Sequence, residues 1–437
     1  MKQDRLIIGD FINLSLIIIM CVFLGNYQQL IIGLFLFLSL FYFINNDQNR
    51  LFILFIILFL SNGIISREYY WGGFIGVQQI VAIVAVLAIL KSKKNINYSN
   101  PVSKTAKILL LFVFFYIVYT SIKNAYFGLF DTTWLSAIVK TINFFIFIEL
   151  ILYIYKKTVS KELFFYRVII NVIFFFCITC LISPLLGKLG YYTSVGEEGS
   201  LQRFNGFIGN GDANTLALIL VLSVGYILNK AIIYRLDTIK ISMMLLSIIT
   251  IGLTGSRSGL ILLGFVFLFT PFFFKKIKIF SKYTIVILLM IFFSAIFLST
   301  NIERLNTAQE EQMTTALGTG NRVGKWLFYI NYFKQSPYSL FRGASDALEV
   351  GFDHSFIVAH NIYLQIIYNS GLLFLFALIY IIYKSLKINI YIHENILILI
   401  IPLVLGLFFI SDYGAILFFV ICLFGMTLKQ KDTIHIK

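Results

Sequence analysis

Charge is what this chain has least of. Asp, Glu, Lys and Arg make up 13% of its 437 residues, about half the share with which a soluble domain covers its surface. Histidine and cysteine are equally sparse, at four residues each. All four cysteines (Cys21, Cys177, Cys180, Cys422) fall inside apolar runs. Cys177 and Cys180 share a helix face, but no second pair or histidine joins them as zinc ligands, so they read as small buried hydrophobes. No run alternates with a period of two, which disfavours a β-barrel. No small-x-small cleavage site ends the first apolar run, and Asp10 interrupts it, so that run reads as a first transmembrane helix rather than a signal peptide. Neither an internal repeat nor a soluble domain large enough to fold alone is visible.

What the chain does have is apolar length. Hydrophobic residues are 59% of it, aromatics 17%, with phenylalanine the commonest aromatic and a mean hydropathy of +0.90. A phenyl ring needs no hydrogen-bond partner, which suits a lipid-facing surface. Runs long enough to cross roughly 30 Å of hydrocarbon recur throughout. In lipid each must satisfy its backbone internally, so helix is expected. The expected spans are 6–25, 29–45, 51–66, 74–90, 108–122, 136–155, 164–185, 214–229, 240–254, 259–274, 283–300, 361–382, 395–410 and 413–428. The fold class is therefore all-α, a polytopic bundle of about 12–14 spans forming one integral membrane domain over 1–437.

Charge gives an independent check on this layout. With the N-terminus inside, the cytoplasmic connections and both termini collect 24 of the 35 basic residues. That is the positive-inside bias, and it places both termini in the cytoplasm. It also accounts for the net charge of +15 without nucleic acid, because inner loops face anionic head groups. One basic residue, Lys140, lies within a span and ten lie outside.

Two outer loops are long, 186–213 and 301–359, and long connections are usually functional or disordered. Within the second, 324–335 reads as a short helix whose Trp326, Phe328, Tyr329 and Phe333 would lie on the membrane surface. Arg203 sits in Gln202-Arg203-Phe204-Asn205-Gly206, ahead of Asp212-Ala213-Asn214. Arg257 sits in Thr254-Gly255-Ser256-Arg257-Ser258-Gly259, at the mouth of a hairpin between spans. Arg322 and Lys325 sit in Gly320-Asn321-Arg322-Val323-Gly324-Lys325-Trp326. His360 and Asn361 stand where the large loop re-enters the membrane, eleven and ten residues before Gly371.

Arginine stays charged at any physiological pH and grips phosphate oxygens through a planar fork. Several of them at the bilayer surface could hold a lipid-borne pyrophosphate and stabilise the charge that grows on it as it leaves. A histidine at the same level could take the proton from an attacking hydroxyl. Such a kit suffices for glycosyl transfer with no metal or cofactor, and the outer loops contain no D-x-D pair. Blander readings stand beside each residue. Arg257 can snorkel to head groups, and Arg322 and Lys325 can be solvated charges on an amphipathic helix. His360 can be a satisfied polar group, and Asn214 can be the N-cap of the next helix.

The order of these segments carries a resemblance. Gly-Ser-Arg-Ser-Gly at 255–259 opens a span, Asn321-Arg322 with Trp326 follows in a large outer loop, then Ser336-Pro337, Gly343 and His360-Asn361. Over roughly 200–380 this resembles the O-antigen ligase and polymerase superfamily of bacterial envelope glycan assembly. The resemblance implies a GT-C-like helical bundle and metal-independent, inverting transfer from an undecaprenyl-pyrophosphate-linked glycan on the outer face of the cytoplasmic membrane. It implies that Arg257 and Arg322 bind the donor and that His360 activates the acceptor. Arg203, Asn214, Lys325 and Asn361 would contact pyrophosphate or glycan. Where the family has Asn-Pro-Asn, this chain has Asp212-Ala213-Asn214, which leaves the role of that loop open. His360-Asn361-Ile362-Tyr363-Leu364-Gln365 looks more like polymerases, which extend O-antigen or capsular polysaccharide, than like ligases, which transfer glycan to lipid A–core. Partners implied are the lipid-linked donor and acceptor, membrane lipids and a chain-length regulator protein, with no nucleic acid. A third reading is a lipid-linked oligosaccharide flippase. It expects charges at mid-membrane and two related halves, whereas the clear charges inside spans are a sparse set, Asp10, Lys140 and Glu149, and no duplication is seen.

Overall fold

The computed structural model describes residues 2–24, 27–61, 161–189, 206–207, 213–233, 237–273, 322–342, 361–373 and 397–408, with scattered positions elsewhere (84, 111, 114–115, 118–119, 121–122, 204, 375–376, 379–380, 418–419 and 421–422). The described residues form helices and no strand. Helices α1 (Lys2–Phe23), α2 (Gln28–Ile44) and α3 (Gln48–Leu60) precede α4 (Lys161–Leu181) and the short α5 (Ser183–Lys188). Then come α6 (Ala213–Ile233), α7 (Thr238–Leu253), α8 (Arg257–Phe273), α9 (Arg322–Gln335), α10 (Pro337–Arg342), α11 (Ile362–Ser370) and α12 (Leu397–Gly406). Predicted spans 136–155 and 283–300 lie outside the described residues, 74–90 almost entirely so, and 108–122 and 413–428 in part.

Among the described residues, three helices are long and apolar enough to cross a membrane: Leu6–Phe23, Phe164–Leu181 and Ala213–Lys230. Each window has 18 residues, about 27 Å of helix rise, close to the hydrocarbon thickness. On α1 the exposed side chains Ile8, Ile12, Leu16, Ile19 and Phe23 recur at helical spacing. That stripe carries no polar group, so lipid suits it and water does not. Helix α6 is the opposite case, with every residue of Ala213–Lys230 buried inside the bundle. A helix apolar all round belongs at the centre, and α4, α7, α8 and α12 all pack on it.

Close packing around α6 depends on small residues. A Cβ on Gly259 of α8 would stand 2.5 Å from the Cβ of Ala217, so α6 and α8 approach at a distance that admits no further carbon. Gly406 of α12 lies against Leu218 in the same way. In lipid this packing replaces the hydrophobic drive that water would supply. The second contact also fixes direction, because the C-terminal end of α12 lies beside the N-terminal end of α6.

At the opposite end of the bundle the polar contacts are ionic. Asp10 on α1 is 1% exposed. Its Oδ2 accepts from Arg167 Nη2 at 2.7 Å, Arg167 Nε at 3.0 Å and Asn171 Nδ2 at 3.2 Å. Its Oδ1 accepts from Arg50 Nε at 3.4 Å. Arg50 is a partly exposed rim residue, whereas the Arg167 side chain is only 11% exposed. The intramembrane charge that interrupts the first run thus ties α1 to α3 and α4. Nearby, α7 starts at an Asp237 cap that accepts from Lys240 N at 2.8 Å. Lys240 Nζ then bonds Asp237 Oδ2 at 2.7 Å and lies over the Tyr166 ring.

The observed helices differ from the expected spans at three places. The span expected over 164–185 stops at Leu181 and resumes as α5 after Ile182. Pro184 falls in the first turn of α5, where its missing N–H is harmless. The span expected over 361–382 breaks at Gly371, whose φ is 89°. The aromatics of the loop helix do not all lie on the membrane surface either. Tyr329 and Phe333 are buried, 2% and 5% exposed, against Leu364, Ile367 and Tyr368, while Leu327, Ile330, Tyr338 and Phe341 stay exposed.

Asp10→Ala is expected to destabilise the detergent-solubilised protein by about 3–5 kcal/mol, because it strands a buried arginine. Asp10→Ala with Arg167→Met should recover part of that loss, as read by thermal unfolding, and no recovery would mean that the pair is not the cause. Gly259→Ala is expected to cost about 1–3 kcal/mol by overpacking. Ala217→Gly should restore it in the double variant.

Candidate functional site

Of the expected site residues, Asn214, Arg257 and Asn361 have their backbone at the end of the bundle where α6 begins. Helix α7 ends at Leu253, the chain turns over Thr254-Gly255, and Ser256 starts α8 by accepting from Gly259 N on its Oγ at 3.1 Å and from Leu260 N on its carbonyl at 3.1 Å. These bonds satisfy helix-start donors that would otherwise lack partners. Thr254 Oγ1 accepts from Ser256 N at 3.2 Å and donates to Ile251 O at 2.7 Å. Ser256 Oγ donates to Asn214 Oδ1 at 2.9 Å and lies 3.1 Å from Ser258 Oγ. Ser258 Oγ reaches the same Asn214 oxygen at 3.5 Å. Thr254, Ser256, Ser258 and Asn214 are all buried. A hydroxyl–amide network therefore joins the starts of α6 and α8 on both sides of position 257.

A second clip holds part of the 186–213 loop to this corner. Phe204 N donates to Leu253 O at 3.2 Å, and Cys180 Sγ donates to Phe204 O at 3.3 Å. Gly206 N donates to Ser183 Oγ at 2.7 Å. Gly206 has φ 57°, and a Cβ there would meet Thr179 Oγ1 at 2.7 Å and Cys180 N at 2.8 Å. Both the backbone angle and the space call for glycine. Phe207, fully buried, stacks on Phe175 with centroids 6.1 Å apart.

The re-entry point is fastened at the same end. Asn361 caps α11, its Oδ1 accepting from Tyr363 N at 3.0 Å and Leu364 N at 3.2 Å. Ile362 N donates to Leu407 O at 3.0 Å and Tyr363 Oη to Val404 O at 2.9 Å. Leu407 follows the end of α12, which the Gly406–Leu218 contact sets beside the start of α6. On the other side of α11, Tyr329 and Tyr332 of α9 meet the Tyr368 ring edge-on, at 5.2 and 5.8 Å. Burial pushes the Tyr329 phenol up to about 12, so it stays protonated at neutral pH and cannot serve as the base.

Among the expected site residues, Arg257 is the first of α8, Arg322 the first and Lys325 the fourth of α9, Asn214 the second of α6, and Asn361 the cap of α11. Arg203 and His360 lie outside the described residues. Each is next in sequence to a fastened one, Phe204 and Asn361. The backbone thus brings Phe204, Asn214 and the 254–258 turn together and sets Asn361 at the same end of the bundle. Helix α9 reaches this assembly through α11. Asn214 is not the residue ahead of α6 that an N-cap would be, because the helix already begins at Ala213, and its side-chain oxygen accepts from Ser256 at the start of α8. Sequence reading missed Thr254, Ser256 and Ser258 as a network and Ser183 as an anchor. The alternation of hydroxyl residues at 254, 256 and 258, inside an otherwise apolar stretch, was the available signal.

Residues 242–379 match the family model described as O-Antigen ligase. The match covers Arg257, Arg322, Lys325, His360 and Asn361, while Arg203 and Asn214 precede it. No curated protein and no solved structure matches the chain. The match over 242–379, about a third of this all-α, polytopic membrane protein, supports the O-antigen polymerase and ligase superfamily.

Proposed function

We propose that this protein is a membrane glycosyltransferase that polymerises undecaprenyl-pyrophosphate-linked oligosaccharide repeat units into O-antigen or capsular polysaccharide at the outer face of the cytoplasmic membrane. The observation that carries the proposal is the fastening of three separate segments at one end of the bundle, through Phe204 to Leu253, Asn214 to Ser256, and Ile362 to Leu407. Those segments flank or contain Arg203, Arg257 and His360. Ionic contacts and cation-bearing residues such as Arg50, Arg167 and Lys240 lie at the other end, in keeping with a cytoplasmic assignment there.

In this reading Arg257 and Arg322, with Arg203 and Lys325, hold the donor pyrophosphate. His360 takes the proton of an acceptor hydroxyl. The hydroxyl oxygen attacks the anomeric carbon, the bond from that carbon to the pyrophosphate oxygen breaks, and undecaprenyl pyrophosphate leaves with the electron pair. The arginines stabilise that growing charge without a metal. Attack from the face opposite the leaving group inverts the anomeric centre. Asn361, whose side-chain oxygen is used in capping α11, would contribute to glycan contact only through its amide nitrogen. A ligase is the second reading, favoured by the description of the matching family model.

His360→Ala and Arg257→Ala are each expected to lower glycan chain growth by roughly a hundredfold or more with protein abundance unchanged. Normal long-chain glycan in either variant would sink the assignment. A deletion strain separates the readings on a glycan gel. Core bearing a single repeat unit means a polymerase. Bare core with accumulated lipid-linked polymer means a ligase, and repeat units trapped inside mean a flippase.

A further inference from the structure

The geometry points to Asn214 as a positioning residue that acts on the donor through Arg257, not as a contact of the donor itself. This rests on the reading of Arg257 as a pyrophosphate ligand. Position 257 stands between two buried serines, Ser256 and Ser258, whose hydroxyls converge on one acceptor, Asn214 Oδ1. Ser256 Oγ has a second duty, accepting from Gly259 N. Gly259 in turn is the residue at which α8 closes on Ala217 of α6. One continuous chain therefore runs from Asn214 through Ser256 to Gly259 and back to Ala217, three residues beyond Asn214. It fixes the first turn of α8 in rotation and in height relative to α6.

A substrate-binding role would need the Asn214 side chain to face the ligand. Its oxygen is instead turned inward onto the two serine hydroxyls, and the residue is 9% exposed. A neutral amide also suits the place better than a carboxylate. An acid at 214 would add a negative charge at the start of α8 that opposes an anionic ligand there, whereas an amide oxygen accepts from the serines without adding charge. Losing the amide leaves two buried hydroxyls without their shared acceptor and frees the first turn of α8 to shift. A fixed charged group loses much of its effect when displaced by an ångström.

The test is a set of two thermodynamic cycles, reading the Kd of undecaprenyl pyrophosphate for the full-length protein in nanodiscs. Asn214→Ala and Ser256→Ala are each expected to weaken binding about tenfold, the scale of one unsatisfied buried polar group. The double variant should be no weaker than the worse single one. In an Arg257→Ala background, Asn214→Ala should change the Kd no further. Additive losses in either cycle, or wild-type binding by Asn214→Ala, overturn the proposal while leaving Arg257 as a ligand. Wild-type binding by Arg257→Ala overturns the reading on which it rests. Should Asn214→Ala fail to yield folded protein, the cycle of Ser256→Ala with Arg257→Ala decides in its place, non-additivity supporting the lock and additivity removing it.

Discussion

Helix α6 sets the terms for everything packed around it. Its membrane-length window is buried throughout, so no face is left for lipid, and its neighbours must approach at the distance its side chains permit. Between α6 and α8 that distance is set by Ala217 meeting a residue with no side chain at 259. Hydrocarbon gives no hydrophobic gain for joining two apolar helices, so close van der Waals contact has to supply the attraction. A gap of even one methylene would weaken it. The polar network at the start of α6 exists because of this closeness. Asn214 lies one turn above Ala217, and only at this separation can its amide reach hydroxyls on the facing helix.

The two ends of the bundle use different polar chemistry, and the difference fits their surroundings. At the Asp10 end a buried carboxylate meets Arg167 and Arg50, and the charges answer one another. From Arg167 to Cys180 along α4 is about 20 Å of helix rise, so the contacts at the other end are well separated from these. There the fastenings are amide, hydroxyl and backbone groups: Asn214 with Ser256, Gly206 with Ser183, Ile362 with Leu407. Neutral fastenings hold the helix ends without adding a carboxylate that would compete with an anionic ligand for arginine.

Much of this is legible in the amino-acid sequence, for identifiable reasons. Long apolar runs mark α1, α4, α6, α7 and α8 because hydrocarbon leaves the backbone no alternative to helix. The loop helix over 322–335 was legible within two residues of its start, since its polar flanks and aromatic rows keep helical spacing. The partnerships were not legible. Asp10 finds Arg167 at a separation of 157 residues, and Asn214 finds Ser256 at 42. No local pattern encodes such distances. Tyr329 and Phe333 illustrate a second limit. Aromatics facing lipid and aromatics facing protein have the same composition, so an amphipathic row alone could not show that these two pack on α11 while Leu327 and Ile330 stay exposed.

Helix α9 joins the bundle by a route that bears on the proposed chemistry. Tyr329 and Tyr332 fix α9 to Tyr368 of α11. The start of α11 is fixed to the end of α12 by Ile362 and Tyr363, and α12 packs on both α6 and α8. The backbone that presents Arg322 and the backbone that presents Arg257 are therefore linked through packed helices, although 65 positions separate them in sequence. In the proposed reading, pyrophosphate binding by the two arginines would gain from such a linkage. A guanidinium that must be gathered from a free loop gives up conformational entropy at the moment of binding, whereas one carried on a fixed helix start has met most of that cost during folding. The transition state adds negative charge at the leaving oxygen and allows little time for reorganisation, so donors already in place act on it most strongly. On that reading the aromatic seam between α9 and α11 would be part of what lets the two arginines act together.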